Sequence, residues 1–308
     1  MKTAIVGYTG FVGSNICRSR PFDAYYNSRN ISSAFGTEPD LLVYSGVRAE
    51  MYLANNFPDK DLALIRDAIE NIRKIKPGRV VLISSIAVYD RMYGVDENTV
   101  IDKDKSTAYG RNRRILEEWV ESNFPGSLIV RLPGIYGINL KKNFIFDMVR
   151  LIPTVLTEAK YKELGSKSAT LLSAYTMQDN GFAKCNVIGK QQEVSLKEEL
   201  RRIGFTALNF TDSRGIYQYY NLSHLWALVE KALLQGIHVL NVAVEPVTAG
   251  EIYEYVNGKP FVNELDRPIA HFDFRTVHAD SLGGRDGYLM DKECCLNEVK
   301  QFIISESW

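Results

Sequence analysis

Three glycines follow the first apolar run of the chain at intervals of three residues. The run "TAIVG", which ends at Gly7, has the composition of a short buried strand. The segment "GYTGFVG" starts at the same glycine and adds Gly10 and Gly13 directly after the strand. Glycines permit a tight turn and a close approach of the backbone to a ligand, and the helix that opens after the turn offers unpaired N–H groups to a pyrophosphate. A strand, a glycine loop and a helix in this order predict a dinucleotide-binding α/β fold.

The following hundred or so residues alternate short apolar runs with amphipathic stretches. Residues 61–75 and 111–124 carry apolar side chains three and four positions apart, as helices packed on a sheet require. The further predicted strands are "DAYYNS", "DLLVYS", "RVVLISS" and "SLIVRL". This succession of βαβ units predicts a Rossmann-type, doubly wound parallel sheet.

The pattern becomes less regular from about residue 136, and a chain of 308 residues is long enough for two domains. We expect residues 1–150 to form the dinucleotide-binding domain, with its sheet completed by parts of 205–245. Residues 151–308 are expected to form mainly a smaller substrate-binding region. A closing helix is predicted near the end of the chain, begun by an Asp291 cap.

Charge and composition disfavour several classes of partner. The 37 basic and 37 acidic residues balance, so nothing favours nucleic acid or an acidic membrane as a partner. No apolar run approaches the roughly eighteen residues of a transmembrane helix, and the glycine loop interrupts any signal-peptide core, which predicts a cytoplasmic location. The four histidines have no metal-ligand spacing, so we expect no metal site. The cysteines lack CxxC spacing and are expected to be reduced thiols: Cys17, Cys185, Cys294 and Cys295.

Several segments resemble motifs of the extended short-chain dehydrogenase/reductases, in particular the sugar-nucleotide epimerases and dehydratases. The GxxGxxG loop is one. The others are "LISSIAVYD" (similar to SSxxVYG), "DENT" (DE(x)TP), "YGRNRRILEE" (YGxSKxxxE), "VRLPGIYG" (RxxxVYG) and "NVAVEPVTAGEI" (NVGxxxxxSxxEI). The resemblance spans most of the chain and is weakest between about residues 155 and 215. It implies a nicotinamide dinucleotide cofactor and a small-molecule nucleotide-sugar substrate.

The end of the second predicted strand bears on the choice of dinucleotide. An acidic residue there would bind the adenosine ribose of NAD, but this sequence has Asn27, followed by Ser28 and Arg29. A polar and cationic pair suits the 2′-phosphate of NADP, which we prefer, with NAD as the alternative if Arg29 is merely solvated. The expected cofactor contacts are Gly7, Thr9, Gly10, Phe11, Val12, Gly13, Ser28, Arg29, Ser45, Gly46, Tyr109, Arg113 and Pro133.

The resemblance assigns Ser85, Tyr109 and Arg113 to the family's catalytic Ser/Thr, Tyr and Lys places. Hydride transfer at a carbinol carbon requires the attached oxygen to lose or gain a proton, and a phenol can exchange it when a nearby cation favours the phenolate. A serine at a strand end can hydrogen-bond the same oxygen, with Ser84 as the rival for this role. The alternatives are that Tyr109 is a tyrosine packed at a helix start, that Ser85 is a strand-end hydroxyl bonded to backbone, and that Arg113 is a helix-surface cation paired with Glu117.

Substrate contacts are expected from Ser85 and from residues farther along the chain. Lys142 and Asn143 follow the RxxxVYG-like segment, where the family begins to contact its nucleotide-sugar, although a solvated helix start is the alternative. Arg214 lies near the family's arginine-containing segment and is the remaining candidate. Three nearby tyrosines are interpreted as a strand face rather than a base-stacking platform: Tyr217, Tyr219 and Tyr220.

These features favour an NADP-dependent 4-epimerase or 4-keto reductase acting on a nucleotide-linked sugar. Dehydration is disfavoured, because Ile86 and Ala87 stand where the dehydratases carry Asp-Glu. The alternative function is a non-catalytic sensor or scaffold that binds a dinucleotide. It is supported by Arg113 in the lysine place and by Gly134 where many epimerases have asparagine. A homodimer is retained as an alternative to a monomer.

Overall fold

The computed structural model describes residues 1–305. These residues divide into two compact units. The first unit consists of Met1–Asn139, Ile216–Val247 and His271–Glu298. The second consists of Leu140–Gly215, Thr248–Ala270 and 299–305.

The secondary-structure elements are short strands and mostly short helices. Within residues 1–305 the strands are β1 (Thr3–Val6), β2 (Ala24–Tyr26), β3 (Leu41–Tyr44), β4 (Arg79–Ser85), β5 (Leu128–Leu132), β6 (Gly134–Tyr136), β7 (Val155–Thr157), β8 (Tyr175–Met177), β9 (Phe182–Cys185), β10 (Ile216–Tyr217), β11 (Tyr219–Asn221), β12 (Val239–Asn241) and β13 (Val247–Thr248). In the same part of the chain the α-helices are α1 (Phe11–Ser19), α2 (Met51–Asn56), α3 (Pro58–Ile75), α4 (Ala108–Asn123), α5 (Phe144–Arg150), α6 (Glu158–Lys167), α7 (Ala169–Ala174), α8 (Lys190–Ile203), α9 (Leu225–Leu234), α10 (Ala249–Asn257), α11 (Ala279–Leu282) and α12 (Lys292–Ser305).

A six-stranded parallel sheet in the order β12-β5-β4-β3-β1-β2 forms the centre of the first unit. The predicted doubly wound, Rossmann-type fold is therefore confirmed. β1 has β2 on one side and β3 on the other, so successive strands run to opposite sides of β1. In sheets of this kind, ligands bind beyond the carboxyl ends of the strands at such a switch point.

Helices cover both faces of this sheet because each helix presents an apolar stripe. On one face, α3 buries Ile65, Ala68 and Ile72 against the strands. On the opposite face, α1 and α9 bury residues such as Ile16 and Val229. Burial of apolar side chains on both faces is the main stabilising contribution to such a layered domain.

Helix α4 begins earlier than the sequence predicted. The hydroxyl of Thr107 accepts a hydrogen bond from the amide of Gly110 at 3.2 Å, which caps the helix and starts it at Ala108. Tyr109 therefore lies in the first turn of a regular helix. The predicted Asp291 cap of α12 is confirmed, because its carboxylate accepts from the amide of Cys294 at 2.9 Å.

The second unit has its own apolar core. β7, β9 and β8 form a small antiparallel sheet. Helices α6, α7 and α8 pack against it, and the buried side chains of this core include Leu156, Leu164, Leu171, Ala183 and Leu200. The weakly periodic region of the sequence therefore folds into a separate core of short elements.

Candidate active site

The glycine loop brings the chain back against the end of β3. Gly7 has a φ of +92°, and a Cβ on it would lie 2.4 Å from the carbonyl oxygen of Ser45. No other residue type fits this position without moving the backbone. The amide of Gly7 donates to the carbonyl of Tyr26 at 2.7 Å, and that of Ser45 donates to Val6 at 2.9 Å. The ends of β1, β2 and β3 are thereby held together at the switch point of the sheet.

Helix α1 opens immediately after this loop with its N-terminus uncapped by a side chain. Gly10 is the N-cap, and the first turn of the helix contains no acidic residue. Thr9 and Gly10 are exposed, while Phe11 and Val12 are partly exposed. The first amides of a helix lack intrahelical acceptors and attract anions. The exposed N-terminus of α1 therefore has the chemistry that a pyrophosphate requires.

The segment after β2 presents one unengaged cation. The side chain of Asn27 accepts from the amide of Arg29 at 2.9 Å, which fixes a tight turn and leaves Ser28 and Arg29 exposed. Within residues 1–305, the guanidinium of Arg29 makes no hydrogen bond or ion pair. It is therefore available to an anionic group bound near the end of β2.

Ser85 ends β4 and keeps a hydroxyl hydrogen to donate. Its oxygen accepts from the amide of Ala87 at 3.2 Å, and the residue is partly exposed. Its neighbour Ser84 is buried and donates to the carboxylate of Glu117 at 2.5 Å. The structure thus separates the two serines into one accessible hydroxyl and one that is engaged inside the core. Pro133 follows Leu132, the β5 residue that pairs with Ser85.

Tyr109 is held beside the segment that follows Ser85. A Cβ on Gly110 would come within 1.9 Å of the carbonyl oxygen of Ala87, so the missing side chain allows α4 to contact that segment directly. The amide of Tyr109 donates to the side chain of Asn55 at 3.0 Å, and its ring packs on Ala54 and Ala87. Its hydroxyl forms no hydrogen bond with any other described residue. Tyr109 is 6% exposed, so its phenol is positioned by its ring and backbone, and its oxygen has no hydrogen-bond partner among the described residues.

Arg113 is a buried residue, in contrast to the alternative that it is a surface cation paired with Glu117. It is 5% exposed, and its Nη1 donates to the carboxylate of Asp61. Its Nη2 donates to the backbone carbonyl of Arg48 at 2.6 Å, and its Cζ lies 3.8 Å from the centroid of the Tyr109 ring. The guanidinium therefore connects α3, α4 and the loop after β3.

Glu117 belongs to a different buried network. Its carboxylate accepts from Nη2 of Arg131 at 2.7 Å and from Nη1 of Arg114 at 3.0 Å, in addition to Ser84. Arg131 also donates to the phenol of Tyr89 at 2.8 Å. Burial opposes the charge of Arg131, but the nearby Glu117 outweighs it and raises the pKa of that guanidinium. This network fixes α4 against β4 and β5, beneath Tyr109 and Ser85.

The remaining expected substrate contacts lie in the second unit. Asn143 caps α5, since its side chain accepts from the amide of Phe146 at 3.1 Å, and Lys142 is exposed. Arg214 donates to Asp212 through Nε and Nη2 at 3.0 and 2.8 Å, and to Glu264 through Nη1 at 2.8 Å. The hydrogen bond from Arg214 holds the pKa of Asp212 well below its usual range. Arg214 therefore has few donors left for a phosphate.

No group of three or more His, Cys, Asp or Glu side chains among residues 1–305 is arranged to hold a metal ion. No helix in the same range has the length and apolar character needed to cross a membrane.

Sequence reasoning missed Asp61, Asn55 and Arg48, which hold Arg113 and Tyr109. One signal for Asp61 was present: residues 61, 65, 68 and 72 share one helical face, and three of them are apolar. An acid in such a stripe indicates a buried partner. Asn55 and Arg48 carried no comparable signal, because they lie in or near a helix of six residues.

Comparison with known proteins identifies the fold. No family model and no curated protein matches the sequence. Among solved structures, dTDP-4-dehydrorhamnose reductase from Bacillus anthracis in complex with NADP is similar, with a TM-score of 0.63 and 15% identity over 99% of both chains. UDP-glucose 4-epimerase from Thermotoga maritima with UDP-glucose has a TM-score of 0.59 and 11% identity, over 99% of this chain and 98% of that one. An enzyme from Bordetella bronchiseptica in complex with NAD has a TM-score of 0.62 and 13% identity, over 98% and 93%.

The chain has the fold of nucleotide-sugar reductases and epimerases. The resemblance to extended short-chain dehydrogenase/reductases is thus confirmed for the fold, over nearly the whole chain. Identities of 11 to 15% show the fold alone, so the roles of Ser85, Tyr109 and Arg113 rest on their own geometry.

Proposed function

We propose that the protein is an NADP-dependent enzyme of the extended short-chain dehydrogenase/reductase type that acts on a nucleotide-linked sugar, as a 4-epimerase or a 4-keto reductase. The observation that carries this proposal is the pair of available hydroxyls at the end of the sheet. Ser85 retains a hydrogen to donate, and the Tyr109 phenol has no hydrogen-bond partner among the described residues. Ser85 is the last residue of β4, and Tyr109 packs on Ala87 just after it, so both lie at the carboxyl end of a parallel strand, where this fold binds ligands.

The glycine loop and its surroundings fit a nicotinamide dinucleotide. The backbone contact of Gly7 with Ser45 leaves no space for a side chain, and the uncapped start of α1 suits a pyrophosphate. Gly7, Thr9, Gly10, Phe11, Val12 and Gly13 would hold the pyrophosphate, with Ser45, Gly46 and Pro133 along the rest of the cofactor. When bound, the cofactor supplies or accepts a hydride.

Arg29 favours NADP over NAD. Its exposed guanidinium is unengaged within residues 1–305 and follows the strand whose end contacts the adenosine ribose in this fold. With Ser28 it would bind the 2′-phosphate through charge-assisted hydrogen bonds. The solved structures of the same fold contain NADP in the Bacillus anthracis reductase and NAD in the Bordetella bronchiseptica enzyme. NAD therefore stays as the alternative.

Tyr109 and Ser85 both act on the reacting oxygen of the substrate. Reduction of a ketone adds a proton to its oxygen, and oxidation of an alcohol removes one; we assign this exchange to the Tyr109 hydroxyl. Ser85 donates a hydrogen bond to the same oxygen and stabilises the negative charge that develops there. Arg113 lies over the Tyr109 ring, with its Cζ 3.8 Å from the ring centroid, and holds the phenol in place by this contact.

A dehydratase activity fits poorly. Ile86 and Ala87 are buried apolar residues at 4% and 6% exposure, so the positions directly after Ser85 offer no acid or base. The substrate class follows the fold relatives: one is a dTDP-4-dehydrorhamnose reductase, and another was solved with UDP-glucose. Lys142 and Asn143 remain proposed contacts of the nucleotide-sugar, whereas Arg214 is a weaker candidate because carboxylates engage it.

One observation favours a second candidate function, a dinucleotide-binding sensor without turnover. Arg113 stands in the family's lysine place, but two of its nitrogens donate to Asp61 and to the Arg48 carbonyl. Fewer donors are then left to hold the nicotinamide ribose as a lysine would.

Turnover and binding assays separate the two functions. The parent protein is incubated with NADP or NADPH and a panel of UDP- and dTDP-sugars, and the reduced-nicotinamide absorbance and product NMR spectra are followed. We expect turnover that falls by about a hundredfold or more in Tyr109→Phe, because only the exchanging hydroxyl is lost. Tyr93→Phe, which alters an exposed tyrosine stacked on His271, is the matched control. Tight NADPH binding with no turnover on any sugar would favour the sensor.

A further inference from the structure

Arg131 is a buried cation that the proposed proton exchange does not use. It is 3% exposed and lies on β5, where it pairs in register with Ser84 of β4. Its Nε and Nη2 both donate to the carboxylate of Glu117, at 3.1 and 2.7 Å, and its Nη1 donates to the phenol of Tyr89 at 2.8 Å. One guanidinium therefore joins a carboxylate of α4 to a phenol that follows β4.

The two partners of Arg131 hold the two ends of the segment that carries Ser85. At one end, Ser84 donates to the carboxylate of Glu117 at 2.5 Å. At the other end, Tyr89 follows Ser85 after a single 3₁₀ turn. Ser84 is held in addition by the pairing of β4 with β5, so the Tyr89 end of the segment depends more strongly on Arg131.

The phenol of Tyr89 is buried and hydrogen-bonded to several segments of the chain. Its hydroxyl donates to the backbone carbonyl of Asp96 at 2.7 Å and accepts from Nδ2 of Asn241 at 3.0 Å, in addition to Nη1 of Arg131. Burial raises the pKa of Tyr89, so the phenol keeps its proton and can donate it to the carbonyl. The Tyr89 end of the segment therefore has a fixed place relative to β5 and β12.

The same guanidinium also holds the helix that carries Tyr109. Tyr109 and Glu117 both lie on α4, about two turns apart, and Glu117 is completely buried. A Cβ on Gly110 would lie 1.9 Å from the carbonyl oxygen of Ala87, so α4 touches the segment after β4 at the position next to Tyr109. The two proposed reacting hydroxyls therefore lie on elements that meet at this contact and that Arg131 connects.

We propose that Arg131 is a positioning residue, which acts through Glu117 and Tyr89 to fix the hydroxyls of Ser85 and Tyr109 relative to each other. This inference rests on the proposed function. Proton exchange depends steeply on the placement of donor and acceptor, so a small displacement of either hydroxyl lowers the rate without removing a substrate contact. Loss of the hydrogen bond between Arg131 and Tyr89 should therefore lower kcat and leave the binding of cofactor and substrate nearly unchanged.

Single and double variants test this hydrogen bond. Tyr89→Phe removes the phenol oxygen and keeps the ring, and Arg131→Lys keeps a cation for Glu117 but has one ammonium in place of three donating nitrogens. Each should lower kcat by about tenfold on the UDP- or dTDP-sugar that the parent turns over, while KM for that sugar and Kd for NADPH change by less than about twofold. The double variant should lose no more than the larger single loss, because both changes break the same connection.

Tyr44→Phe is the matched control. Tyr44 is a buried tyrosine of β3, the strand beside β4, and its hydroxyl accepts from Nδ2 of Asn71 at 3.5 Å. This variant also removes a buried phenol oxygen from the sheet, but outside the contacts of Arg131, so its kcat should equal that of the parent. The rates are compared at a temperature at which thermal unfolding curves show each variant to be folded.

Each other result has a defined meaning. If Tyr89→Phe has the kcat of the parent, its phenol is only structural and the inference fails. Equal losses of kcat in Tyr89→Phe and Tyr44→Phe would indicate general loosening of the core and also overturn it, as would single losses that multiply in the double variant. If Arg131→Lys does not fold, the comparison of Tyr89→Phe with Tyr44→Phe decides. If the parent turns over no nucleotide-sugar, the proposed function itself fails and the inference falls with it.

Discussion

The carboxylate of Asp61 on α3 accepts a hydrogen bond from the guanidinium of Arg113 on α4, and both side chains are about 95% buried. The same carboxylate accepts from the side chain of Asn112 at 2.8 Å. A buried charge requires a compensating partner, and Asp61 and Arg113 each neutralise the charge that the other places in the core. Because Arg113 also contacts Tyr109 and the Arg48 carbonyl, the pair links the core of the helical layer to the proposed proton donor.

Asp61→Asn should lower the free energy of unfolding by about 3 kcal/mol, because it leaves the buried guanidinium without its counterion. Asp59→Asn is the matched control, since Asp59 is exposed in the same first turn of α3 and should change stability by less than about 0.5 kcal/mol. Urea denaturation of the parent and both variants measures this. Equal stabilities for the two variants would mean that the pair is solvated in solution.

The two adjacent serines should respond to alanine substitution in opposite ways. Ser85→Ala is expected to lower turnover by about tenfold or more with little change in stability, because its hydroxyl accepts only a weak local bond from Ala87. Ser84→Ala removes a donor from the buried Glu117 and should cost about 1 to 3 kcal/mol of stability while turnover persists. Steady-state rates and denaturation curves are compared for both. A loss of turnover confined to Ser84→Ala would exchange the two assignments.

NADPH should bind about tenfold more tightly than NADH, through contacts between Arg29 and the 2′-phosphate. In Arg29→Ala the two affinities should become nearly equal, mainly because that for NADPH falls. Arg18→Ala removes another exposed arginine of the same unit and should preserve the preference. Calorimetry measures the affinities of the parent and both variants for NADPH and NADH. If the parent protein binds NADH more tightly than NADPH, Arg29 is not part of the cofactor site.

Burial raises the pKa of the Asp147 carboxyl from 3.8 to about 7. The folded state therefore binds a proton that the unfolded state has already released, so this residue lowers stability progressively as pH rises from about 4 to 7. Asp147→Asn should remove that dependence and make the protein more stable than the parent at pH 8, by on the order of 3 kcal/mol, but not at pH 4. Exposed Asp179 supplies the control, Asp179→Asn. Parallel stability curves for parent and Asp147→Asn between pH 4 and 8 would contradict this.

Five of the six strands of the central sheet could be predicted individually from the sequence because most of them are continuous apolar runs, whereas β12 was expected only within 205–245. β4 has the same bounds as the run "RVVLISS" from which it was inferred, and β5 lacks only the first residue of "SLIVRL". Such runs are typical of parallel strands buried on both faces. The start of α4 was missed because the cap is supplied by Thr107, eight residues before Ile115, the first apolar position of the pattern.

The partners of the site residues could not be predicted in the same way. Asp61 and Arg113 are 52 positions apart on two helices, and only tertiary packing brings them together. The second unit is a related case: β7, β8 and β9 are strands of three or four residues, too short for their side-chain alternation to be recognised. The local sequence pattern predicts the strands of the sheet. Contacts between distant elements, such as that of Asp61 with Arg113, can be recognised only in the folded structure.

Whether Arg113 supports catalysis can be decided by separating its charge from its packing. Arg113→Lys keeps a cation that can pair with Asp61 but cannot also reach the Arg48 carbonyl in the same way, so we expect reduced but measurable turnover. Arg113→Met leaves Asp61 as an unpaired buried carboxylate beside Tyr109. It should lose stability by about 3 kcal/mol and move the pH–rate profile to higher pH, because a negative charge disfavours the phenolate.

The double variant Arg113→Met with Asp61→Asn removes both charges at once. It should recover most of the stability lost in Arg113→Met, and its pH–rate profile should return toward that of the parent, since the net charge beside Tyr109 is then the same as in the parent. Turnover against pH for the parent and the three variants is the measurement. If Arg113→Met alone matches the parent profile, Arg113 acts only in packing. If the parent is inert with every nucleotide-sugar while Arg113→Lys becomes active, the protein has kept the fold and lost its catalytic activity through the arginine at position 113.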